Sequence, residues 1–470
     1  MQTKRWTYLV LGLGKTGMSC VRHLHKKSAR FAMADSRSHV NDVSEFVREH
    51  SDIDIFWGAW DLDVLLQAEV LVISPGIALH EPVIAQAIEQ GVSVSSDIEL
   101  FMAAVERPVI AVTGSNGKST VVSLLGDMAK HASLSVPVGG NIGLPVLDLL
   151  DPNGSELCVD GQYAYDAYVL ELSSFQLERL PAMNFACACI LNLSEDHMDR
   201  YDSYQQYVDA KQRVYLSADV CVFNRDDQLT NVTSDSISTC YLSFGVNEPN
   251  MNEYGLSIVD GDLGQKRIAL MRGDSVLLYA DDMRLQGRHN LINGLSALAM
   301  SDAMGWDQQA SINALMGFTG LSHRCEYVDT INGVMYINDS KGTNVGATLA
   351  AIDGLCALTD KRVVLIAGGE GKGADFSELH GAMKRFGRAV VCIGMDGPQL
   401  MNVLSDAVDN HMAVDMNSAV QRASELAHSG DYVLLSPACA SFDMFKNFEH
   451  RGDVFIDCVT QLGQQGGGHV

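Results

Sequence analysis

AVTGSNGKST, residues 111–120, follows an apolar run and precedes a segment whose apolar residues have helical spacing. A glycine-rich loop in this setting holds phosphate, because its backbone amides and the positive end of the helix dipole face the anion. Lys118 and Ser119 add a cation for phosphate and a hydroxyl for Mg²⁺. The pattern G-x-x-x-x-G-K-[ST] is not met in full, because Val112 stands at its first glycine and Gly114 comes two residues later. The segment predicts a nucleoside-triphosphate loop that is tighter than, or folded differently from, the loop of common GTPases and kinases.

Short aliphatic runs separated by helix-like segments extend from this loop in both directions. They read YLVLG, VLVIS, VIAVTG, AYVLELS, ACILNL, VCVFN, VVLIAGG, AVVCIG and YVLLSPA. Such runs are typical of parallel strands that are covered by helices on both faces. The sequence therefore predicts an α/β fold, and its 470 residues correspond to roughly three domains of ordinary size.

Two changes of pattern divide the chain. A glycine turn and the cap residues SSD, 95–97, precede a short helix, so the first boundary is predicted near residue 97. The second is predicted near Gly320, where GFTGLSHR leaves helical spacing before the strand VMYIND. The predicted domains are residues 1–97, 98–321 and 322–470.

The chain is acidic, with 33 lysine and arginine residues, 58 aspartate and glutamate residues and a formal net charge of −25. This charge repels nucleic acid and anionic membranes, and no apolar run approaches the ~20 residues of a membrane helix. The N-terminal MQTKRWTYLVLGLG reads into a glycine turn and predicts a strand, not a signal peptide. The 11 cysteines form no CxxC pair, which favours reduced thiols. We expect a soluble, cytoplasmic monomer with no nucleic-acid partner and no membrane insertion.

Two further glycine-rich loops follow predicted strands. GLGKTG, residues 12–17, opens a helix, and Asp35 ends the next strand, where a carboxylate can meet a ribose hydroxyl. The residues alone leave open whether this loop holds a nucleotide or is a turn used only for packing. GGEGKGADF, residues 368–376, offers Lys372 and amides but no hydroxyl directly after the lysine. A small carboxylate fits that loop, and a plain turn is the alternative.

GSNGKST, ELSSFQLE (residues 171–178) and LSEDHMDRY (residues 193–201) resemble the Mur ligases of peptidoglycan synthesis, and the resemblance runs from end to end. Five further strings favour a family member that uses D-glutamate: GLGKTG, ISPGI at 73, GGNIGLP at 139, NDSKGTN at 338 and SPACASFDMFKNF at 436. The resemblance implies three α/β domains, each built on a mainly parallel sheet. They are a Rossmann-like N-terminal domain for a UDP-sugar, a P-loop-type central ATPase, and a Rossmann-like C-terminal domain that binds the amino acid and closes on ATP.

The resemblance also implies an ATP-dependent ligase acting on UDP-N-acetylmuramoyl-L-alanine and D-glutamate. The γ-phosphoryl group of ATP activates the L-alanyl carboxylate as an acyl phosphate, the amine of D-glutamate attacks it, and ADP and phosphate leave. The residue chemistry agrees, because two anions must approach each other and need cations and Mg²⁺ between them.

The carboxylate of Glu171, at the end of the run AYVLE, is expected at the carboxyl edge of the sheet, where α/β proteins bind ligands. With Ser119 it predicts a first Mg²⁺ site. His197 follows the strand ACILNL at a similar edge. A lone loop histidine is ordinarily only solvated, whereas the resemblance implies a contact with a second metal or with substrate.

Lys211 lies inside the apolar stripe of a predicted helix, SYQQYVDAKQRVYLSA. Two interpretations stay open from the residues: the stem packs while the amine reaches water, or the amine is desolvated and becomes nucleophilic. The resemblance implies that CO₂ carbamylates Lys211, so that a carboxylate-like group lies beside the metals.

The remaining contacts are implied by the resemblance, with helix capping as the alternative role of Asn290. Catalytic roles are expected of Lys118, His197, Lys211 and Lys341. ATP contacts are expected of Gly114, Ser115, Asn116, Gly117, Lys118, Ser119, Thr120, Asn290, Asn293, Arg324, Asp339 and Lys341. UDP-substrate contacts are expected of Lys15, Thr16, Asp35, Ser36, Arg37, Ser74, Pro75, Gly76, Asn141 and His197. D-glutamate contacts are expected of Thr343, Lys372, Ser441 and Phe448.

Other functions fit the sequence less well. A dehydrogenase would use GLGKTG and Asp35 but leave GSNGKST, Glu171 and the third domain without a role. A non-enzymatic ATP-driven switch would not need polar loops in three domains. The nearest competitors are the ligases that add L-alanine, a diamino acid or a dipeptide, and folylpolyglutamate synthase. The diamino-acid enzymes carry a DNPR-type loop where this chain has NDSKGTN, and the folate enzymes lack the GLGKTG domain.

Overall fold

The computed structural model describes residues 4–466 except 41, 42, 44, 45, 47, 49, 51, 151–164, 195, 197–199, 234–239, 261–264, 286, 357–360 and 372. The chain divides into two compact units, of which the first comprises Met1–Asp282 and Ile292–Met316 and the second Met283–Leu291 and Gly317–Val470. The boundary expected near residue 97 falls inside the first unit, so the three-domain division stays a prediction. Among the described helices, none has the length and apolar character needed to span a membrane.

The first unit begins with a five-stranded parallel sheet in the order β3-β2-β1-β4-β5. Its strands are β1 (Trp6–Leu11), β2 (Phe31–Asp35), β3 (Ile55–Trp57), β4 (Ala68–Ile73) and β5 (Ser93–Ser95). Its helices are Lys15–Lys26, Leu62–Leu65, Pro82–Glu89 and Asp97–Met102. Ser96 caps the last of these through its side chain, as the SSD motif predicts.

A nine-stranded sheet follows, in the order β14-β13-β12-β11-β10-β9-β6-β8-β7. Its strands are β6 (Val109–Thr113), β7 (Val138–Gly140), β8 (Tyr168–Glu171), β9 (Cys187–Ile190), β10 (Val220–Asn224), β11 (Cys240–Phe244), β12 (Tyr254–Asp260), β13 (Lys266–Arg272) and β14 (Ser275–Tyr279). The α-helices are Lys118–His131, Ser174–Leu177, Tyr204–Gln212, Arg288–Ala303 and Gln308–Gly317, and 3₁₀ turns cover Val146–Leu149, Arg213–Tyr215, Gln228–Thr230 and Ala280–Asp282.

The second unit contains a six-stranded sheet in the order β15-β16-β20-β17-β18-β19. Its strands are β15 (Glu326–Ile331), β16 (Val334–Asn338), β17 (Val363–Gly368), β18 (Gly387–Ile393), β19 (Asp409–Met412) and β20 (Tyr432–Leu435). The strands pair in parallel except for the β15–β16 hairpin. Its helices are Val345–Cys356, Ser377–Phe386, Gly397–Val403, Met416–Leu426 and Phe448–Gly466.

The predicted α/β class with mainly parallel sheets is confirmed, and each of the nine aliphatic runs contains a strand. Sequence patterns predicted neither the antiparallel strands β12 to β14 and the hairpin strand β15 nor the strands β3, β5, β7, β11 and β19. These strands are only partly buried, and Ile258 in β12 is 66% exposed. In β12 and β15 polar residues interrupt the apolar ones, whereas β13 and β14 contain the short apolar runs IALM (268–271) and VLLY (276–279).

The strand before the phosphate loop lies between two parallel neighbours. β6 pairs with β8 and β9, so that Val112 lies beside Glu171 and Thr113 beside Ile190. All residues of these three strands are buried. Because parallel strands end at one edge of a sheet, the loops after β6, β8 and β9 meet there.

Candidate active site

The phosphate loop joins β6 to the helix Lys118–His131. Val112 is the fourth residue of β6 and fully buried, which explains why the first glycine of the common pattern is missing: the loop starts only after Thr113. Gly117 has φ +83°, and a Cβ there would lie 2.6 Å from Asn293 Oδ1. Both the left-handed backbone and the close approach require glycine.

Lys118 is held by carbonyl groups of the phosphate loop, and Asn116 is held by Asn192. Lys118 Nζ donates to the carbonyl oxygens of Gly114 at 2.7 Å and Ser115 at 2.9 Å. Asn116 N donates to Asn192 Oδ1 at 2.8 Å, and Asn192 Nδ2 donates to Asn116 O at 3.0 Å. The lysine amine therefore lies over the loop, where the phosphates of a nucleotide would replace its carbonyl partners.

Ser119 and Glu171 meet as predicted from their places at the ends of neighbouring elements. Ser119 Oγ donates to Glu171 Oε2 at 2.7 Å, and both residues are buried. Asn141 Nδ2 donates to Glu171 Oε1 at 2.9 Å, and Asn141 N donates to Glu171 O at 2.9 Å. The site thus presents a hydroxyl and a carboxylate, the oxygen ligands that Mg²⁺ prefers.

Lys211 is desolvated, so of the two interpretations the structure favours the second. The residue is 2% exposed on the helix Tyr204–Gln212, and its Nζ donates to Gly114 O at 2.9 Å and Thr113 Oγ1 at 3.2 Å. The amine also lies 4.9 Å from the centroid of the Tyr207 ring. Burial lowers the pKa of the Lys211 amine well below its usual value, and the charge of Lys118 lowers it further.

Two predicted site residues, His197 and Lys372, lie outside the described residues. Among the residues that the structure does describe, there is no group of three or more histidine, cysteine, aspartate or glutamate side chains that could hold a metal. Of the residues predicted to bind metal, Ser119 and Glu171 are joined directly by a hydrogen bond.

The GLGKTG loop and Asp35 lie together at the carboxyl edge of the first sheet. Asp35 Oδ2 accepts from Leu13 N at 2.7 Å and Arg37 Nη2 at 2.7 Å, while Oδ1 accepts from Arg37 N and Nε. Although burial acts in the opposite direction, hydrogen bonds from Arg37 and Leu13 lower the pKa of Asp35 to about 2. Asp35 is thus an ionised carboxylate that orders the loop.

ISPGI, the segment that follows β4, packs on the same loop. Ser74 Oγ donates to Gly12 O at 2.8 Å, and Ser74 N donates to Leu11 O at 3.0 Å. ISPGI also receives hydrogen bonds from Arg179 and Arg200. The sequence analysis did not single out these two arginines, although both lie in or directly after the strings ELSSFQLE and LSEDHMDRY.

In the second unit, Asp339 follows β16 and is buried. Its Oδ2 accepts from Ser436 Oγ at 2.6 Å and its Oδ1 from Cys325 N at 3.2 Å. Burial raises the pKa of Asp339 to about 6, while Ser436 and the charge of Arg324 act in the opposite direction. Arg324 lies between His323 and Cys325, two non-glycine residues with positive φ of 62° and 46°, which is a strained arrangement of the kind found at ligand sites.

Lys341 and Phe448 also lie together, with Lys341 Nζ 4.1 Å from the centroid of the Phe448 ring. The fully buried Arg451, which the sequence analysis missed, joins their loops. It donates to Ser340 Oγ at 3.0 Å, Ser340 O at 2.8 Å and Cys439 O at 3.1 Å. Burial lowers the pKa of Arg451 to about 10.

The other predicted residues of the second unit are placed as follows. Ser441 is buried after β20, and Thr343 N donates to Lys341 O at 2.8 Å. Asn290 is the third residue of the helix Arg288–Ala303, not its cap, and is buried. Asn293, one turn later on the same helix, belongs to the first unit, where its amide lies against Gly117.

Three family models match the chain. The Mur ligase MurD-like N-terminal domain matches residues 6–96, the Mur ligase middle domain residues 112–301, and the Mur ligase glutamate ligase domain residues 323–439. These matches, with the full-length relatives that follow, show that the chain belongs to the Mur ligase family.

The relatives include proteins named UDP-N-acetylmuramoylalanine–D-glutamate ligase. The one from Pseudomonas aeruginosa is 44% identical over 454 residues, covering 97% of this chain and 98% of that protein. The one from Legionella pneumophila is 43% identical over 459 residues, covering 97% and 99%. Among solved structures, MurF ligase from Thermotoga maritima in complex with ADP has a TM-score of 0.59 at 16% identity, covering 99% of this chain and 96% of that one. At this identity the likeness concerns the fold.

Proposed function

We propose that the chain is an ATP-dependent amide ligase that joins D-glutamate to the L-alanyl carboxylate of UDP-N-acetylmuramoyl-L-alanine, with release of ADP and phosphate, in peptidoglycan biosynthesis. The observation that carries the proposal is the phosphate loop whose Ser119 hydroxyl donates to Glu171 at 2.7 Å. It occurs in a chain that is 44% identical, over 97% of its length, to a protein named UDP-N-acetylmuramoylalanine–D-glutamate ligase. The proposal places the reaction in the cytoplasm and the enzyme in a monomeric state.

The residues present fit one Mg²⁺ ion. Ser119 Oγ and Glu171 Oε2 are neighbouring oxygens at the mouth of the phosphate loop, and Mg²⁺ combines one or two protein oxygens with waters and nucleotide phosphates. When bound, Mg²⁺ would neutralise charge that develops on the transferring phosphoryl group. Asn141, which donates to the other Glu171 oxygen, would keep the carboxylate turned toward the loop.

Lys211 is proposed to react with CO₂ as a neutral amine. The amine nitrogen bonds to the carbon of CO₂ and loses one proton, and the product is a carbamate with one negative charge. The desolvated surroundings of Lys211 support this step, because they favour the neutral, nucleophilic amine. The carbamate and His197 would then complete the metal and substrate contacts that the family resemblance implies.

The chain's own cations would bring the two reacting anions together. Lys118 would move from the loop carbonyls to the phosphates of ATP, and the amides of Gly114 to Thr120 would bind the same phosphates. Arg324 and Lys341 are the proposed cations from the second unit, with Asp339, Asn290 and Asn293 as further nucleotide contacts. Exclusion of water protects the acyl phosphate from hydrolysis until the amine attacks.

The two other substrates are assigned to the remaining predicted loops. Lys15, Thr16, Asp35, Ser36, Arg37, Ser74, Pro75 and Gly76 would bind the uridine diphosphate, and Asn141 and His197 the sugar-peptide end. Thr343, Lys372, Ser441 and Phe448 would bind D-glutamate. The contacts of Asp35 within its own loop support an ordering role, since its carboxylate holds the Leu13 amide and the Arg37 guanidinium in place.

Phosphate release tests the proposal. Purified protein is incubated with ATP, Mg²⁺, UDP-N-acetylmuramoyl-L-alanine and each amino acid in turn, and D-glutamate alone is expected to support steady turnover. Lys118→Ala is expected to fold and to lose at least about a hundredfold in rate, because a cation on the transferring group is removed. Turnover with L-alanine, a diamino acid or a dipeptide in place of D-glutamate would reject the assignment.

A further inference from the structure

Two guanidinium groups donate hydrogen bonds to main-chain carbonyl groups of ISPGI, residues 73–77. Arg179 Nη1 donates to Ser74 O at 3.2 Å, and Arg179 Nη2 donates to Ile77 O. Arg200 Nη1 donates to Pro75 O at 3.1 Å. The backbone of a loop assigned to the UDP-bearing substrate is therefore fixed by two arginines that lie 102 to 125 positions later in the chain.

Glu178 holds both arginines in place. Its Oε1 lies 2.7 Å from Arg200 Nη2 and 3.4 Å from Arg179 Nε, and its Oε2 accepts from Tyr201 OH at 3.0 Å. The Arg179 side chain is only 2% exposed. A buried guanidinium needs a paired charge and hydrogen bonds. Here Glu178 supplies the charge and the loop carbonyls accept from Nη1 and Nη2, while the buried Nε has no hydrogen-bond partner among the described residues. The geometry of the cluster is thus set before any ligand arrives.

ISPGI also packs on the GLGKTG loop. Ser74 Oγ donates to Gly12 O at 2.8 Å, and a Cβ at Gly12 would lie 2.8 Å from Ile77 Cδ1. The two loops assigned to the diphosphate are therefore in direct contact, and Arg179 holds ISPGI through its carbonyls. Loss of that anchor is expected to displace Ser74, Pro75 and Gly76.

The same segment carries the Mg²⁺ ligand and the anchor. Glu171 ends β8, the capping box of Ser173 and Gln176 fixes the short helix Ser174–Leu177, and Arg179 follows directly after Glu178. Gln176 and the backbone cap leave this turn little freedom, because both ends of the box are hydrogen-bonded. The phosphate-loop site and the ISPGI loop are therefore joined by one short stretch of chain, residues 171–179.

We propose that Arg179 is a positioning residue for the nucleoside-diphosphate end of the substrate, acting through the carbonyls of Ser74 and Ile77. It acts by fixing the loop whose residues are assigned to that substrate. The identity of the whole substrate rests on the proposed function. The role of Arg179 itself requires only that the substrate carry a nucleoside diphosphate.

Steady-state kinetics of Arg179→Met test the role. The KM for UDP-N-acetylmuramoyl-L-alanine is expected to rise about tenfold or more, the size expected for the loss of a charged hydrogen bond, while the KM for ATP stays within about twofold. Arg225→Met is the matched control. Arg225 also donates to main-chain carbonyls, of Tyr254 at 3.0 Å and Asn247 at 3.3 Å, beside a glutamate, but it does not contact ISPGI. In this control both KM values are expected to stay within about twofold.

Two results would overturn the role: an unchanged KM for the UDP-substrate in Arg179→Met, or equal rises in the KM for ATP and for the UDP-substrate. If Arg179→Met does not fold, Arg179→Lys keeps the buried charge but reaches fewer carbonyls, and it must show the same selective rise. Calorimetric titration with UDP alone separates the positioning role of Arg179 from the proposed ligase function. Weaker UDP binding by the variant would support the role of Arg179 even if D-glutamate supported no turnover by the unmodified enzyme.

Discussion

The Ser119 hydroxyl donates a 2.7 Å hydrogen bond to the carboxylate of Glu171, 52 positions later in the chain. The contact exists because β6 and β8 are parallel neighbours, which brings the start of the helix Lys118–His131 beside the end of β8. It places a hydroxyl and a carboxylate where nucleotide phosphates and Mg²⁺ are expected. The order of the strands thus builds the proposed metal site.

Removal of either member of this pair should weaken the response to Mg²⁺. We expect Glu171→Gln to lower the rate of phosphate release by about a hundredfold or more and to raise the Mg²⁺ concentration for half-maximal rate, because the anionic ligand is lost. Ser119→Ala should show the same shift in a milder form. Ser123→Ala, one turn later on the same helix, serves as the control, and a Mg²⁺ dependence as altered as that of Ser119→Ala would contradict the assignment.

Lys211→Ala should lose activity and regain part of it with added short carboxylic acids. The added acid occupies the space of the proposed carbamate and restores a carboxylate there. Removal of bicarbonate from the unmodified enzyme should lower its rate in the same assay. Lys130→Ala, which removes an exposed lysine paired with Asp127, should be insensitive to both treatments. Full activity of Lys211→Ala without any added acid would contradict the carbamate.

Gly117→Ala should impair ATP binding selectively. An alanine at φ +83° is strained, and its Cβ would lie 2.6 Å from Asn293 Oδ1, so the phosphate loop must move. We expect the dissociation constant for ATP, measured by calorimetry, to rise about tenfold or more, in line with a strain of 1–3 kcal/mol. Gly305→Ala has φ +67° with nothing within 4 Å of the added Cβ. Gly305→Ala therefore has a strained backbone but no close contact, and it should bind ATP as the unmodified protein does. If it bound ATP as weakly as Gly117→Ala, the prediction would be contradicted.

Asp97 should make stability depend on pH. Burial raises the pKa of Asp97 from 3.8 to about 6, although a hydrogen bond from Gln176 acts in the opposite direction. The folded protein then keeps a proton that the unfolded chain releases, so this carboxyl lowers stability as the pH rises from about 4 to about 6. Relative to the unmodified chain, Asp97→Asn should gain up to about 3 kcal/mol of unfolding free energy at about pH 8 and little at about pH 4. Urea unfolding at both pH values measures the two differences, and equal differences would refute the prediction.

Local pattern was sufficient for the parts of the site that depend on one strand and the loop after it. GSNGKST predicted a strand, a phosphate loop and a helix, and Glu171 could be placed at the sheet edge because it ends an apolar run. The apolar spacing around Lys211 limited its environment to two possibilities. Only the fold decided between them, because the 2% exposure of the residue depends on packing against β6 and its loop.

The arginine anchors could not be predicted in this way. Arg179 directly follows the string ELSSFQLE, but its partners, like the Ser340 carbonyl that accepts from Arg451, are main-chain carbonyl groups of loops more than 100 positions away in the sequence. A carbonyl acceptor leaves no trace in residue identity, since every residue has one. The partly buried strands β12 to β14 were missed for a different reason: polar residues interrupt β12, and the apolar runs of β13 and β14 are only four residues long.

The fate of one oxygen atom tests the proposed reaction most directly. UDP-N-acetylmuramoyl-L-alanine is labelled with ¹⁸O in its alanyl carboxylate and incubated with ATP, Mg²⁺ and D-glutamate, and the released phosphate is analysed by mass spectrometry. Attack of the carboxylate on the γ-phosphoryl group leaves one carboxylate oxygen on phosphorus when the amine displaces phosphate. We therefore expect one ¹⁸O in each phosphate released and an amide between L-alanine and D-glutamate. Phosphate without the label would contradict an acyl-phosphate ligase.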